Sequence, residues 1–244
     1  MAISYGWRGP NIVKDGLVVY LDAGSPNSYY SPTAGTTWKD ISGNGFIGTL
    51  NNGPTFSTDG GGCIVLDGTN DNVDLGDSDL FTIPTGFSIN VWFKPTTYSS
   101  ASPLLDKYQT GGLEFVFGTF NNNTLYAWVY DNINAGYRGR TLGSISSIVP
   151  ANTWGYFTYI YDGQGLSSSG KIYINGTERV TSDFSGGTFT TIRNTSTTLN
   201  IGRSNPGIGG PANGRFGIVS FYNKILTASE VLQNYNVTRG RYGL

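Results

Sequence analysis

Phe87-Ser88-Ile89-Asn90-Val91-Trp92-Phe93-Lys94 reads apolar, polar, apolar, polar with period two. Phe87, Ile89, Val91 and Phe93 share one face, and Ser88, Asn90 and Trp92 share the other. Side chains alternate across a strand, so this pattern describes a strand with one face against a core. The same reading extends outward to Gly16–Asp22, Cys63–Leu66, Leu113–Phe117, Thr124–Tyr130, Trp154–Tyr161, Lys171–Ile174, Thr198–Ile201 and Arg215–Tyr222. Turn chemistry separates these runs, as in Asp67-Gly68 and in Asn175-Gly176, which follows a strand directly. Short strands at such spacing predict an all-β sandwich of two antiparallel sheets. Trp38 and Trp154 are expected to be mostly buried.

One helix signal interrupts the pattern. Thr227-Ala228-Ser229-Glu230 fits a capping box, followed by Val231, Leu232 and Tyr235 as an apolar face. The expectation is a short helix near the C-terminus. With no linker and no internal repeat, residues 1–244 read as one domain. Short arms flank it at 1–11 and 236–244.

Composition narrows the function. Charged residues are 13% of the chain, against roughly 25% in an average domain. Fifteen Lys and Arg balance 16 Asp and Glu, so no basic field exists to hold nucleic acid or an anionic membrane surface. No run approaches the length of a membrane span, and Met1–Pro10 lacks the pattern of a secretory signal. The expectation is synthesis in a cytoplasm. The single cysteine, Cys63, has apolar neighbours and suits a buried position.

Histidine is absent, which removes the commonest general base and most zinc sites. A carboxylate pair of the glycosidase kind is what remains. The three glutamates do not suggest one: Glu230 caps the helix, Glu178 follows a turn, and Glu114 stands alone on its strand. Asp71, Asp74, Asp77 and Asp79 lie in a turn-rich stretch, where aspartate commonly bonds backbone amides. The chain therefore reads as a binding protein and not an enzyme, with a polysaccharide-degrading enzyme as the weaker alternative.

Three groups of residues are candidates for that binding. Tyr126, Trp128 and Tyr130 share a strand face and suit stacking on sugar rings; a core or subunit contact explains them too. Arg138 and Arg140 share another strand face and are placed to grip a carboxylate, or else form a solvated edge. Calcium takes oxygen ligands, which Asp40 and Asn44 supply in one loop and Asp67 and Asp71 in another. Plain Asx turns explain both loops equally well. The arms carry Tyr5 and Trp7 at one end and Arg239, Arg241 and Tyr242 at the other. These are suited to docking on a second copy or a larger particle, or to folding back on the domain.

Several of these segments together resemble a known family. Trp38-Lys39-Asp40-Ile41-Ser42-Gly43-Asn44-Gly45 with Gly48-Thr49-Leu50 resembles the opening of laminin-G-like, concanavalin A-like jelly-roll domains. Val65-Leu66-Asp67-Gly68 with Asp71-Asn72-Val73 resembles a second element, with Leu66 and Asn72 departing from its usual Phe and Tyr. Phe87–Pro95, Trp154–Asp162, Tyr173–Gly176, Ile201-Gly202-Arg203 and Phe216–Asn223 follow in order. The resemblance implies a jelly roll, in a family that includes lectins and adhesion modules. The ending, Asn234–Leu244, is similar to the terminal segment of laminin-G-like structural proteins of tailed bacteriophages. That likeness implies a free-standing virion protein, a capsid decoration or tail-associated subunit made in the bacterial host cytoplasm. Its partners would be its own copies, other virion proteins and cell-surface glycans. A lectin is the alternative.

Overall fold

The computed structural model describes residues 11–29, 35–98, 101–109, 111–120, 123–203 and 210–244. Among them, the strands form two antiparallel sheets packed face to face, a jelly-roll sandwich. The eight-stranded sheet is built on Phe87–Pro95, flanked by Gly155–Tyr161 and Asn213–Tyr222. The long strand Asn213–Tyr222 then has two partners on its far side. Cys63–Asp67 pairs with its first half and Leu17–Asp22 with its second. The nine-stranded sheet runs in the order Ser182–Asp183, Gly136–Leu142, Thr124–Asp131, Gly112–Phe120, Ser102–Gln109, Asn200–Ile201, Asn72–Asp74, Ile47–Asn51 and Thr37–Lys39.

The core lies between the sheets. Phe87, Ile89, Val91 and Phe93 enter it from one side, and Phe115, Phe117, Leu125, Ala127 and Val129 from the other. Trp38 and Trp154 are buried as expected, and so is Cys63. Asn175 and Gly176 both have positive φ, the geometry of the two-residue hairpin turn between Lys171–Ile174 and Thr177–Glu178. Phe157, Tyr159 and Tyr161 fill the sandwich.

The central strand departs from the expectation in one respect: its second face is buried as well. Asn90 bonds Ser220 and Thr158, and Trp92 donates its indole N–H to Thr238 Oγ1 at 2.8 Å. The cover is the C-terminal helix Ala228–Arg239. Its capping box forms as expected, with Thr227 and Glu230 satisfying each other's backbone N–H. The buried stripe is Val231, Asn234, Tyr235 and Thr238, spaced i, i+3, i+4, i+7. Leu232 falls off that stripe and is exposed.

The 236–244 arm is a second correction. It is not an outward arm. The helix runs on to Arg239, and a 3-10 turn, Gly240–Tyr242, folds back on the domain. Tyr242 stacks on Trp92 with ring centroids 4.0 Å apart. Arg241 pairs with Asp22 and donates to the Gly60 and Gly62 carbonyls at 2.6 and 2.7 Å. Arg239 is exposed, its guanidinium over the Tyr235 ring. The buried Tyr242 ring and the Arg241 guanidinium, held by one carboxylate and two carbonyls, are engaged within the domain. Tyr5 and Trp7 lie outside the described residues. No helix among the described residues is long and apolar enough to cross a membrane.

Candidate functional site

The two sheets differ on their outer faces. The eight-stranded sheet carries the helix. The nine-stranded sheet carries an open row of aromatic rings. In Thr124–Asp131, Leu125, Ala127 and Val129 point into the core, so alternation turns Tyr126, Trp128 and Tyr130 outward. The neighbouring strands add Tyr108, Phe120 and Tyr137, and Phe184 closes the end. Together they line a groove of about 380 Å³. The rings meet mostly edge to face: Tyr126 on Phe184 at 5.1 Å, Tyr108 on Trp128 at 6.0 Å and Tyr108 on Tyr130 at 6.2 Å. Edge-to-face packing fixes each ring; the Trp128 indole is buried as the floor of the groove, and the other rings are half-buried around it. Gly139 sits directly across from Trp128, and a Cβ there would come within 2.4 Å of the Trp128 Cβ. The glycine makes room for the indole.

A polar cup adjoins this groove, with Tyr108 in both walls. Asp74 and Asp106 lie on either side of Asn200 in register, so one row across three strands presents carboxylate, amide and carboxylate. Asn72 donates to Asn200 Oδ1 at 3.0 Å. Asp106 is buried, and among the described residues neither carboxylate oxygen meets a donor in hydrogen-bonding geometry. Burial pushes its carboxyl well above the usual range, and the Tyr108 backbone N–H offsets this only in part. Asn72 Oδ1 also has no partner among the described residues. Asn51, Asn52, Gln109 and Arg203 complete the cup, about 400 Å³ in volume.

Asp131 holds Thr190 and Thr191, in the segment that follows Phe184 at the end of the groove. Its carboxylate accepts from the backbone N–H groups of Ile133, Asn134, Thr190 and Thr191 and from the Asn134 side chain. Burial alone would raise this carboxyl, but those donors outweigh it and hold it well below the usual carboxylate range.

The other sequence candidates separate from this site. Arg138 and Arg140 lie opposite Val129 and Ala127, on the face away from the aromatic row. Arg138 donates to the carbonyls of Gly165, Tyr137 and Gly186. Arg140 donates to Thr181. Both guanidiniums fasten backbone, on the face away from Tyr126, Trp128 and Tyr130. The loop side chains act as turn locks. Asp40 accepts from Tyr20 N, Ser42 N, Ser42 Oγ and Gly45 N. The Asn44 amide donates to the Val18 carbonyl, Asp67 accepts from Thr69 N, and Asp71 accepts from Asp67 N. Among the described residues, no three His, Cys, Asp or Glu gather around a point that would suit a metal.

Glu114 is not alone. It is buried with Lys107 at 2.7 Å, accepts from Thr82 Oγ1 at 2.6 Å and from Thr195 N at 2.9 Å. Glu178 is taken up by Lys171 and Tyr173.

The strand reading of Thr124–Tyr130 thus found the centre of the groove. It did not reach Tyr108 and Asp106, whose strand Ser102–Gln109 opens with Ser-Pro and carries an interior Asp-Lys pair that interrupts the apolar run. Their period-two spacing was the available signal.

A family model described as the concanavalin A-like lectin/glucanases superfamily matches residues 67–232. No curated protein matches in a sequence comparison. Among solved structures, the botulinum neurotoxin serotype D binding domain superposes with a TM-score of 0.69 at 14% identity. The match covers 92% of this chain and 52% of that one. The binding domain of Paraclostridial Mosquitocidal Protein 1 gives 0.66 at 16%, covering 91% and 52%. A serotype D ligand binding domain solved in complex with N-acetylneuraminic acid gives 0.65 at 14%, covering 92% and 51%. The chain spans about half the length of these neighbours, and the likeness concerns the fold.

Proposed function

The chain belongs to the concanavalin A-like lectin/glucanases superfamily, and from that footing we propose that it is a carbohydrate-binding module whose site is the outer face of the nine-stranded sheet. The observation that carries this reading is the aromatic groove on that face, with the half-buried rings of Tyr108, Phe120, Tyr126, Tyr130, Tyr137 and Phe184 around the buried indole of Trp128. Pyranose rings present flat C–H faces, and aromatic rings offer matching apolar surface with polar tips. The structural neighbours are binding domains, one of them solved with a sugar, which supports binding and not turnover.

A glycan array probed with the wild-type chain and with Trp128→Ala tests it. The expected result is retention of a defined set of oligosaccharides by the wild type. Trp128→Ala should weaken it at least tenfold, about 1.4 kcal/mol. The oligosaccharides should be recovered intact. Shortened oligosaccharides would favour an enzyme. Unchanged retention by Trp128→Ala would place the site elsewhere.

The virion role implied by the terminal segment fits within this function as its setting. A subunit of a tailed phage capsid or tail would use this face to hold host glycans. Display in many copies, on a particle or in a homo-oligomer, multiplies weak single-site affinity. Arg241 and Tyr242 give no support to docking, since both are engaged within the domain.

A further inference from the structure

We propose that Lys107 and Asp77 condense into an intramolecular amide, with Glu114 as the proton relay, so that the domain makes its own covalent cross-link. This stands apart from whatever the outer face of the nine-stranded sheet binds. It starts from Lys107, which is fully buried. A lysine at that depth is rare, because its charge is costly to take out of water. Its Nζ lies 2.7 Å from Glu114 and 3.0 Å from Asp77, so one sealed cation faces two carboxylates.

The sheet is built to bring the three together. Between Ser102–Gln109 and Gly112–Phe120, Lys107 pairs with Phe115 and Tyr108 with Leu113, which leaves Glu114 as the extra residue of a β-bulge. A bulge re-aims a side chain, and this one sends Glu114 to the Lys107 ammonium. Glu114 is fixed there by Thr82 Oγ1 at 2.6 Å, Thr195 N at 2.9 Å and Thr195 Oγ1 at 2.8 Å. Asp77 stands at the rim, with 38% of its side chain exposed. The nucleophile is dry, the relay is held, and the carboxyl to be attacked opens toward solvent, where a released water can leave.

The reaction balances without a co-reactant. The Lys107 ammonium passes one proton to Glu114, and the freed lone pair attacks the Asp77 carboxyl carbon. A C–N bond forms and a C–O bond breaks. The departing oxygen takes the proton held by Glu114 and a second from the nitrogen, and leaves as water. Glu114 ends as the carboxylate it began as, and the ammonium and the Asp77 carboxylate vanish together into a neutral amide. Positioned reactants need no encounter, and the product no longer carries the cost of a buried ammonium. The bond ties the segment leading into the 3-10 turn Asp79–Phe81 to the strand that carries Tyr108. Such a cross-link stabilises by restricting the unfolded chain.

The test is the intact mass of the full chain under denaturing conditions, with tryptic mapping, for wild type, Lys107→Arg, Asp77→Ala and Glu114→Gln. Expected for the wild type is a mass short of its sequence by one water, no cleavage after Lys107, and a branched peptide joining residues 77 and 107. All three variants should show their full mass. Asp77→Ala alters only a rim side chain, so it decides the matter if a buried substitution disturbs folding. A wild type at full mass, cut by trypsin after Lys107, overturns the proposal and leaves an ion-pair cluster. A lost water that persists in Asp77→Ala, or that maps to another part of the chain, overturns it too. A lost water in folded Glu114→Gln overturns the role given to Glu114.

Discussion

Asp131 shows how much a single side chain can organise at the edge of the site. It is buried at the end of the strand that bears Tyr126, Trp128 and Tyr130, and its donors come from its own turn and from Thr190 and Thr191. Arg193 lies 3.5 Å away. Its folded carboxyl lies below the unfolded value, about 3.9. A depressed folded value means the stabilisation is complete above the unfolded value and disappears as pH falls through the folded one. The chain should therefore hold its stability from neutral pH down to about 4 and lose this contribution below it. In Asp131→Asn the contribution is absent at every pH. The variant's urea midpoint should be lower at pH 7, and the gap from wild type should close on acidification. A gap that stays constant from pH 7 to pH 2 would contradict the assignment.

At the scale of elements, the C-terminal helix and its 3-10 turn form a clasp. Tyr242 lies between Trp92 and Trp154, with centroids at 4.0 and 4.8 Å, and Arg241 ties the chain end to Asp22 and to the Gly60 and Gly62 carbonyls. Removing Gly240–Leu244 exposes Trp92 and leaves Asp22 without its cation. Loss of a buried aromatic contact costs about 3–5 kcal/mol. The expected result is a lower melting temperature with the same mass in light scattering. An unchanged melting temperature with loss of self-association would restore the docking arm.

This element also marks where sequence reading stopped. The capping box is local chemistry, so Thr227 and Glu230 announced the helix start. The partner of Tyr242 is Trp92, 150 residues away in sequence, and nothing near either residue encodes that pairing. The same holds at the site. Alternation around Trp128 is local and was legible, as was the core face from Phe87 to Phe93. The cup depends on Asn72, Asp106 and Asn200 meeting through the sheet order, which alternation does not specify. The arginines misled for a related reason. Spacing gave Arg138 and Arg140 a common face but not which face, and the register with Ala127 and Val129 turns them away from the rings.

The whole molecule is a sandwich whose two outer faces do different work. One sheet is closed by the helix and the clasp, and among the described residues the other carries the aromatic rings and the buried Asp106. Stacked sheets lie about 10 Å apart, so residues on the two outer faces are far enough apart to act independently. Stability and binding should therefore separate by face. Trp92→Ala on the closed face removes a fully buried indole and its bond to Thr238, and should cost about 3–5 kcal/mol. Its glycan retention, measured where the variant is still folded, should match wild type. Tyr130→Ala on the open face removes a half-buried ring, and should weaken glycan retention at least tenfold while moving the urea midpoint little. The double variant should show the sum of the two effects to within about 0.5 kcal/mol. A loss of glycan retention in folded Trp92→Ala, or a coupling energy well above that limit, would mean that the covering helix shapes the opposite face and that the division of labour between the sheets is wrong.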